Sequence, residues 1–140
     1  MMRLTRRYGF CASHRLHSEA LTEDENRELY GKCNNPHGHG HNYVVEVTVA
    51  GCVSPKTGLL LRLEDLDSLV RDDILKEFDH RNLNREIPEF AAMVPTSENL
   101  ARVIENRLSR NWSSRFYSGQ PALEKVSLQE TKRNRFELKT

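Results

Sequence analysis

A chain of 140 residues with a formal net charge of +1 at pH 7 is the size of a single domain, which we place at residues 1–140. The balanced charge gives no electrostatic reason to expect binding to nucleic acid or to an acidic membrane, and no apolar stretch is long enough to span a bilayer. The three cysteines are widely spaced and the N-terminus lacks the apolar core of a secretory signal, so we expect a reducing, cytoplasmic setting.

The first half of the chain predicts three strands and a short helix. Apolar residues predict a first strand over residues 4–12, and a capping-box spacing predicts a helix over residues 22–29. A β-branched run makes residues 43–52 the strongest predicted strand. Turn-forming residues then precede three leucines, which predict a hairpin whose last strand covers residues 59–61.

The second half predicts two helices and a closing hairpin. Apolar residues at helical spacing predict an amphipathic helix over residues 63–78, and a second helix over residues 97–108 begins with a capping hydroxyl side chain. Residues 113–121 are expected to form a loop. Residues 123–130 and 136–138 predict the hairpin that ends the chain.

This order of elements indicates an α+β domain with an antiparallel sheet. The two amphipathic helices would cover one face of that sheet. The other face, on which we place Val44 and Val126, has nothing left in the chain to cover it, and the sheet has open edges. We therefore expect a homo-oligomer that joins its sheets.

A histidine-rich segment leads directly into the strongest strand. Three of the six histidines in the chain lie within residues 37–41. Residues two apart in a strand point to the same face, so His39 and His41 project together, with Gly40 leaving room for a ligand. Two imidazoles supply half of a tetrahedral shell, and a catalytic zinc ion usually has three protein ligands and one open position. The segment therefore predicts a zinc site.

The third zinc ligand has to come from the remaining histidines, which are His14, His17, His37 and His80. Three alternate residues on one flat strand would spread over about 13 Å, which argues against adding His37 to the pair. His14 lies at the end of a neighbouring predicted strand and is the better third ligand.

Cys33 lies just before the histidines and has three open roles: an inert buried thiol, a fourth zinc ligand, or a base or nucleophile. Near zinc and a protonated histidine, its thiol would have a depressed pKa. Asp79 and His80 form a second pair, in which the carboxylate can orient the imidazole. The pair could serve as a relay for a thiol, or His80 could simply complement the dipole at the end of a helix.

Glu130 is a carboxylate on the apolar face of a predicted strand. It could bind the guanidine-like edge of a heterocycle through paired hydrogen bonds, or it could be an exposed edge residue. Thr96 and Glu98 have the same ambiguity, because helix capping and substrate contact both suit the segment that carries them.

Six segments of the chain together form a specific pattern. In chain order they are FCASHRL at residues 10–16, GKCNNP at 31–36, GHGHNY at 38–43, FDHRNL at 78–83, PTSEN at 95–99 and ET at 130–131. This pattern resembles the 6-pyruvoyl-tetrahydropterin synthase family over nearly the whole chain. The resemblance implies the tunnelling fold (T-fold), an antiparallel four-stranded sheet with two helices on one face. It also implies a homohexamer of two stacked trimers, whose sheets join into a barrel and whose active sites lie at subunit interfaces.

The resemblance also implies roles for the residues discussed above. It implies three zinc ligands, His14, His39 and His41. It implies a catalytic cysteine and a relay that assists it, Cys33, Asp79 and His80. It implies a pterin pocket, formed by Glu130, Thr96 and Glu98.

The reaction implied by the resemblance converts 7,8-dihydroneopterin triphosphate to 6-pyruvoyl-tetrahydropterin and releases triphosphate. Such an enzyme is a zinc-dependent carbon–oxygen lyase of tetrahydrobiopterin biosynthesis. The reaction is an elimination with internal redox, so no external hydride cofactor is expected.

Two alternatives stay open. A sister branch makes 6-carboxy-tetrahydropterin from the same substrate for the queuosine and deazapurine route, and it resembles Cys-x3-His-Gly-His rather than Cys-x5-His-Gly-His-Asn. This chain matches both patterns, since His37 precedes the pair. Asn42 and the Cys-Asn-Asn-Pro stretch at residues 33–36 favour the pyruvoyl branch, and His37 favours the carboxy branch. The other alternative is a non-catalytic pterin-binding module in which Cys33 closes the zinc shell.

Overall fold

The structure, a computed structural model, describes residues 1–117 and 120–140. The strands are β1 (Met2–His14), β2 (His39–Gly51), β3 (Arg81–Asn82), β4 (Ala122–Thr131) and β5 (Asn134–Lys139). The α-helices are α1 (Glu23–Tyr30), α2 (Leu63–Val70), α3 (Lys76–Phe78), α4 (Leu83–Glu86) and α5 (Ser97–Arg115). The strands form a sheet in the order β3-β1-β2-β4-β5, in which every pair is antiparallel except the β1–β3 pair.

The predicted α+β class is confirmed, but the sheet has five strands rather than four. The additional strand, β3, is only two residues long and pairs in parallel with the end of β1. The strand predicted over residues 59–61 was wrong. A turn closed by a 2.9 Å hydrogen bond from Ser54 N to Leu59 O returns the chain to the core, where Leu60 and Leu61 pack through their side chains.

Alternation along β2 places one face of the sheet in the hydrophobic core. Tyr43, Val45, Val47 and Val49 are at most 1% exposed. Val126, which we expected on the opposite face, pairs directly with Val47 and is fully buried in the same core. Directly paired residues share a face of a sheet, so the placement of Val126 on the uncovered face was wrong.

The opposite face of the sheet is largely polar. Across it, Thr5 and Thr48 share a hydrogen bond of 2.8 Å, and Arg135 forms an ion pair of 3.1 Å with Glu46. Val44 is half-buried on this face, as predicted. Burial of apolar surface therefore does not by itself require a partner on this face. The predicted homo-oligomer rests instead on two open edges of the sheet: β5, and the long part of β1 that the two-residue β3 leaves unpaired.

The helix predicted over residues 63–78 is present but interrupted. After α2 the chain forms a π-helical turn, Arg71–Leu75, before α3 completes the segment. One row of buried residues recurs every four positions: Leu66, Val70, Ile74 and Phe78. An α-helix has 3.6 residues per turn, so it would rotate such a row gradually away from the core. The wider π turn compensates for this rotation and keeps Phe78 buried.

α5 extends beyond its predicted end, so the start of the loop predicted at residue 113 was wrong. Trp112 packs on Phe116 with ring centroids 4.6 Å apart, and its indole N–H donates to the carbonyl oxygen of Pro121 at 2.8 Å. This packing stabilises the last turn of the helix. Positions 118 and 119 of the predicted loop lie outside the described residues. No helix in the described ranges has the length and apolar character needed to cross a membrane.

Candidate functional site

The strand register brings three histidines to one end of the sheet. His14 is the last residue of β1 and lies directly opposite His39, the first residue of β2. His41 follows two positions further along β2, on the same face as the buried Tyr43. The three imidazoles therefore project from the core face of two neighbouring strands.

The imidazoles of His14, His39 and His41 converge closely enough to hold one metal ion. One ring nitrogen of each lies within 4.8 Å of the others. His14 Nδ1 lies 2.8 Å from the carbonyl oxygen of Pro95, so this nitrogen carries the proton and donates it. Nε2 of His14 and Nε2 of His41 are buried and have no hydrogen-bond partner among the described residues. Two orphaned nitrogens beside a third imidazole fit a divalent ion such as zinc.

Burial favours the neutral form of His14 and of His41. Desolvation lowers the pKa of His14 and of His41, and the neighbouring imidazoles lower it further. The Glu130 carboxylate acts in the opposite direction, with Oε1 3.3 Å from Nε2 of His41 in a geometry unsuited to a hydrogen bond. A neutral imidazole offers the lone pair that a metal ligand needs.

Glu130 stands between the histidine cluster and a cavity of about 330 Å³. Glu130, Thr96 and Glu98, which were all predicted as pocket residues, line this cavity together. Tyr30 and Phe136 add aromatic surface to its wall. A flat heterocycle with an edge of N–H donors matches a cavity that combines aromatic walls with carboxylates.

Thr96 and Ser97 connect the start of α5 to this cavity. Thr96 caps α5 by accepting a hydrogen bond of 3.2 Å from the backbone N–H of Asn99, which confirms the capping role. It also lines the cavity, and its contact with substrate stays a prediction. The hydroxyl of Ser97 donates a short hydrogen bond to Oε2 of Glu130. The PTSEN segment that carries Ser97 suited both helix capping and substrate contact, but nothing in the sequence indicated the bond between Ser97 and Glu130.

Cys33 lies in a short 3-10 turn, Gly31–Asn34, that follows α1. Its carbonyl oxygen accepts a hydrogen bond of 2.8 Å from Leu16 N, and the buried side chain of Asn34 donates to the carbonyl oxygen of Leu16 at 2.8 Å. Asn34 was not predicted to matter, yet it fixes this turn. In the described chain, burial raises the pKa of the Cys33 thiol and the Glu130 carboxylate raises it further. The depressed pKa expected beside zinc and a protonated histidine stays a prediction.

Asp79 and His80 lie together beyond the end of α3, with His80 Nε2 3.7 Å from Asp79 Oδ2. Asp79 Oδ1 accepts a hydrogen bond of 2.8 Å from the backbone N–H of Cys11, which anchors the carboxylate to β1. The side chain of His80 is 82% exposed, and its backbone has a φ of 60°. Within residues 1–117 and 120–140, neither side chain forms a hydrogen bond or ion pair with Cys33.

The other candidate histidines lie outside the cluster. His17 Nδ1 is 3.1 Å from the side-chain nitrogen of Asn34, and the backbone N–H of His37 donates to the side chain of Asn35 at 3.1 Å. Gly38, with a φ of 72°, allows the loop to turn tightly here, because a Cβ at this position would lie 2.9 Å from the carbonyl oxygen of His14. The histidine spacing indicated a role for Gly40 but none for Gly38.

The fold and the site define an α+β protein with a three-histidine centre that could hold a metal ion beside an acidic cavity. A family model described as 6-pyruvoyl tetrahydropterin synthase matches residues 3–140. The chain belongs to the 6-pyruvoyl tetrahydropterin synthase family, which confirms the resemblance carried by the six segments.

Individual proteins agree with the family model. "6-pyruvoyl tetrahydrobiopterin synthase" of Poecilia reticulata is 50% identical over 107 residues, which cover 76% of this chain and 73% of that protein. The protein of the same name from Homo sapiens is 48% identical over 107 residues, covering 76% and 74%. The solved structure of Caenorhabditis elegans 6-pyruvoyl tetrahydropterin synthase matches with a TM-score of 0.88 and 40% identity, over 99% of this chain and 95% of that one. This likeness confirms the predicted tunnelling fold of the single chain.

Proposed function

We propose that this enzyme of pterin synthesis is a zinc-dependent 6-pyruvoyl-tetrahydropterin synthase. It converts 7,8-dihydroneopterin triphosphate to 6-pyruvoyl-tetrahydropterin and releases triphosphate, as a carbon–oxygen lyase. Family membership and the name carried by its relatives support this proposal.

The observation that carries the choice of product is the identity of the clustered histidines. His39 and His41 converge with His14, and five residues separate Cys33 from His39, which is the spacing of the pyruvoyl branch. The carboxy branch would need His37 and His39 as the corresponding pair, and His37 is not part of the cluster among the described residues. The pyruvoyl product is therefore favoured over 6-carboxy-tetrahydropterin.

In the proposed mechanism, His14, His39 and His41 hold the zinc ion. When bound, zinc supplies Lewis-acid polarisation of the hydroxyl groups on the substrate side chain. Cys33 is absent from the ligand cluster in the described chain, which supports an open coordination position and disfavours a closed, purely structural shell.

The remaining residues bind the pterin and move protons. Glu130 accepts paired hydrogen bonds from the guanidine-like edge of the ring, while the hydroxyl of Ser97 fixes the carboxylate. Cys33 removes a proton from the substrate side chain as a general base. Asp79 orients His80, which sets the protonation of the thiol.

The proposed assembly is a homohexamer of two trimers with active sites at subunit interfaces. The open edge of β5, and the part of β1 that β3 leaves unpaired, support joining of sheets between copies. A neighbouring subunit would then supply the Asp79–His80 pair that the single chain does not bring to its own Cys33. The free cysteines of the chain are consistent with the cytoplasmic setting that we propose.

The experiment that tests this function is product identification. The purified protein, loaded with zinc, is incubated with 7,8-dihydroneopterin triphosphate, and the products are identified by mass spectrometry. We expect 6-pyruvoyl-tetrahydropterin and triphosphate in equal amounts. Formation of 6-carboxy-tetrahydropterin would assign the chain to the sister branch, and absence of turnover would contradict the proposed activity.

A further inference from the structure

A second cavity, of about 390 Å³, lies beside the three-histidine centre and has no role in the steps above. Arg15, His37 and Arg85 line it, together with two asparagines, Asn82 and Asn84. Arg15 follows His14 directly in the chain. Gly38, also in the lining, approaches the carbonyl oxygen of His14 so closely that no Cβ would fit there. The cavity is therefore an immediate neighbour of the proposed metal ligands.

The lining of this cavity is basic and rich in hydrogen-bond donors. None of the residues that line it in the described chain is an aspartate or glutamate, whereas Glu98 and Glu130 line the cavity beside Thr96. Asn82 already uses its side-chain oxygen to accept from Arg85 N, at 3.2 Å, which leaves its amide N–H groups to donate. A ligand that only accepts hydrogen bonds matches such a lining.

Arg15 is held in place by the protein without being neutralised. The side chain of Asn84 clamps its backbone, accepting from Arg15 N at 2.7 Å and donating to Arg15 O at 2.9 Å. Its Nε donates to the carbonyl oxygen of Asn34 at 3.0 Å. No carboxylate in the described ranges pairs with this guanidinium, so its terminal nitrogens remain available at a fixed position.

Arg85 is the second uncompensated charge. Most arginines of the described chain pair with a carboxylate, as Arg81 does with Glu86 and Arg107 does with Glu89. No such pair involves Arg85 in the part of the chain that the structure describes, although its side chain lines the cavity. Two unneutralised guanidinium groups in one concave site attract anions and can bind phosphate oxygens through pairs of N–H donors.

We propose that this cavity binds phosphate groups, with Arg15 and Arg85 as the main ligands and Asn82 as a further donor. A volume of about 390 Å³ accommodates more than a single phosphate. Two sources share this chemistry. One is the triphosphate group of the substrate, an assignment that rests on the proposed function; the other is a separate phosphorylated ligand bound next to the active site.

Isothermal titration of the intact protein with inorganic tripolyphosphate tests the site. Arg85→Gln removes one charge from an exposed side chain, and Arg102→Gln, in an exposed position of α5 outside the cavity, is the matched control. We expect Arg85→Gln to weaken binding by about tenfold, as for the loss of one charged hydrogen bond. Arg102→Gln should stay within about twofold of the unmodified protein. Equal affinity in Arg85→Gln, or an equal loss in Arg102→Gln, would overturn the proposal.

Steady-state kinetics of the same variants separate the two sources. If the cavity holds the triphosphate of the substrate, Arg85→Gln raises KM in parallel with its weaker tripolyphosphate binding. If it holds a separate ligand, tripolyphosphate affinity falls while KM is unchanged. Absence of turnover in every protein would count against the proposed function, and the titration would still decide whether the phosphate site exists.

Discussion

The three-histidine centre lies at the paired ends of β1 and β2, whereas the Asp79–His80 pair lies beyond the end of α3. The pairing of β1 with β2 brings the three histidines together: His14 lies directly opposite His39, and His41 is two residues further along β2. The Asp79–His80 pair is anchored to the backbone of Cys11 but forms no hydrogen bond or ion pair with Cys33 in the described ranges. One chain can therefore assemble the candidate metal site by strand pairing alone, whereas we expect the proposed relay to take its Asp79–His80 pair from a second copy.

The largest effect should come from removing a histidine of the three-histidine centre, which a single chain forms. We expect His39→Ala or His41→Ala to reduce bound zinc from about one ion per chain to a small fraction, because two imidazoles do not make a stable zinc site. Metal analysis by mass spectrometry, with circular dichroism as a check on folding, measures this. His37→Ala is the control and should keep its zinc. Full zinc retention in both His39→Ala and His41→Ala would remove these residues from the metal site.

The sequence predicted the centre because the relevant geometry is local. Alternation along a strand places His39 and His41 on one face, and His14 needed only the correct neighbouring strand. The same rule failed for Val126, because the face of a strand within the sheet depends on which residue it pairs with, and that pairing is not encoded in its own alternation. The strand predicted over residues 59–61 was wrong for a related reason. Leu60 and Leu61 pack their side chains against the core, and the segment pairs with no strand that the structure describes.

The chemistry of the site was harder to predict than its position. The pKa of Cys33 depends on burial and on Glu130, which is nearly a hundred positions away in sequence. Ser97 and Asn34 act through side-chain hydrogen bonds that no spacing in the sequence predicts. Arg15 and Arg85 meet at one cavity only because the chain folds back along β1. Long-range charge and contact therefore account for most of what the sequence analysis missed.

The second prediction removes the proposed base and leaves the metal centre intact. Cys33→Ala should fold, bind zinc and bind the pterin almost normally, because the histidines and Glu130 are unchanged. Turnover should fall by about 10²-fold or more, as expected for loss of general acid–base catalysis. Zinc content and rate are measured on the same sample. Loss of both would identify Cys33 as a zinc ligand, and an unchanged rate would exclude it from the mechanism.

The third prediction tests whether the relay crosses a subunit interface. Cys33→Ala and His80→Ala should each be nearly inactive as pure assemblies. Mixed assemblies, formed by co-expression with two different tags, should regain activity, because some interfaces then combine an intact thiol with an intact imidazole. A mixture of separately purified assemblies that do not exchange subunits is the control. Failure of the mixed assemblies to regain activity would place the relay within one chain.

The smallest effect concerns the charge of Glu130, which raises the pKa of the Cys33 thiol. Glu130→Gln replaces a carboxylate by a neutral amide of similar shape, so one of the two causes that raise the pKa of Cys33 disappears. Because a negative charge disfavours the thiolate, the pKa of Cys33 should fall in this variant. It should nevertheless stay above the ordinary value for a cysteine, since burial is the larger cause and is unchanged.

The rate of alkylation of Cys33 by iodoacetamide, followed on its own peptide by mass spectrometry at several pH values, reports this pKa. Thiolate is the reactive form, so the alkylation profile of Glu130→Gln should move to lower pH. Glu98→Gln is the matched control, because Glu98 lines the same cavity but is not among the groups that shift the pKa of Cys33. An unmoved profile in Glu130→Gln, or an equal shift in Glu98→Gln, would mean that Glu130 does not act on the thiol through its charge.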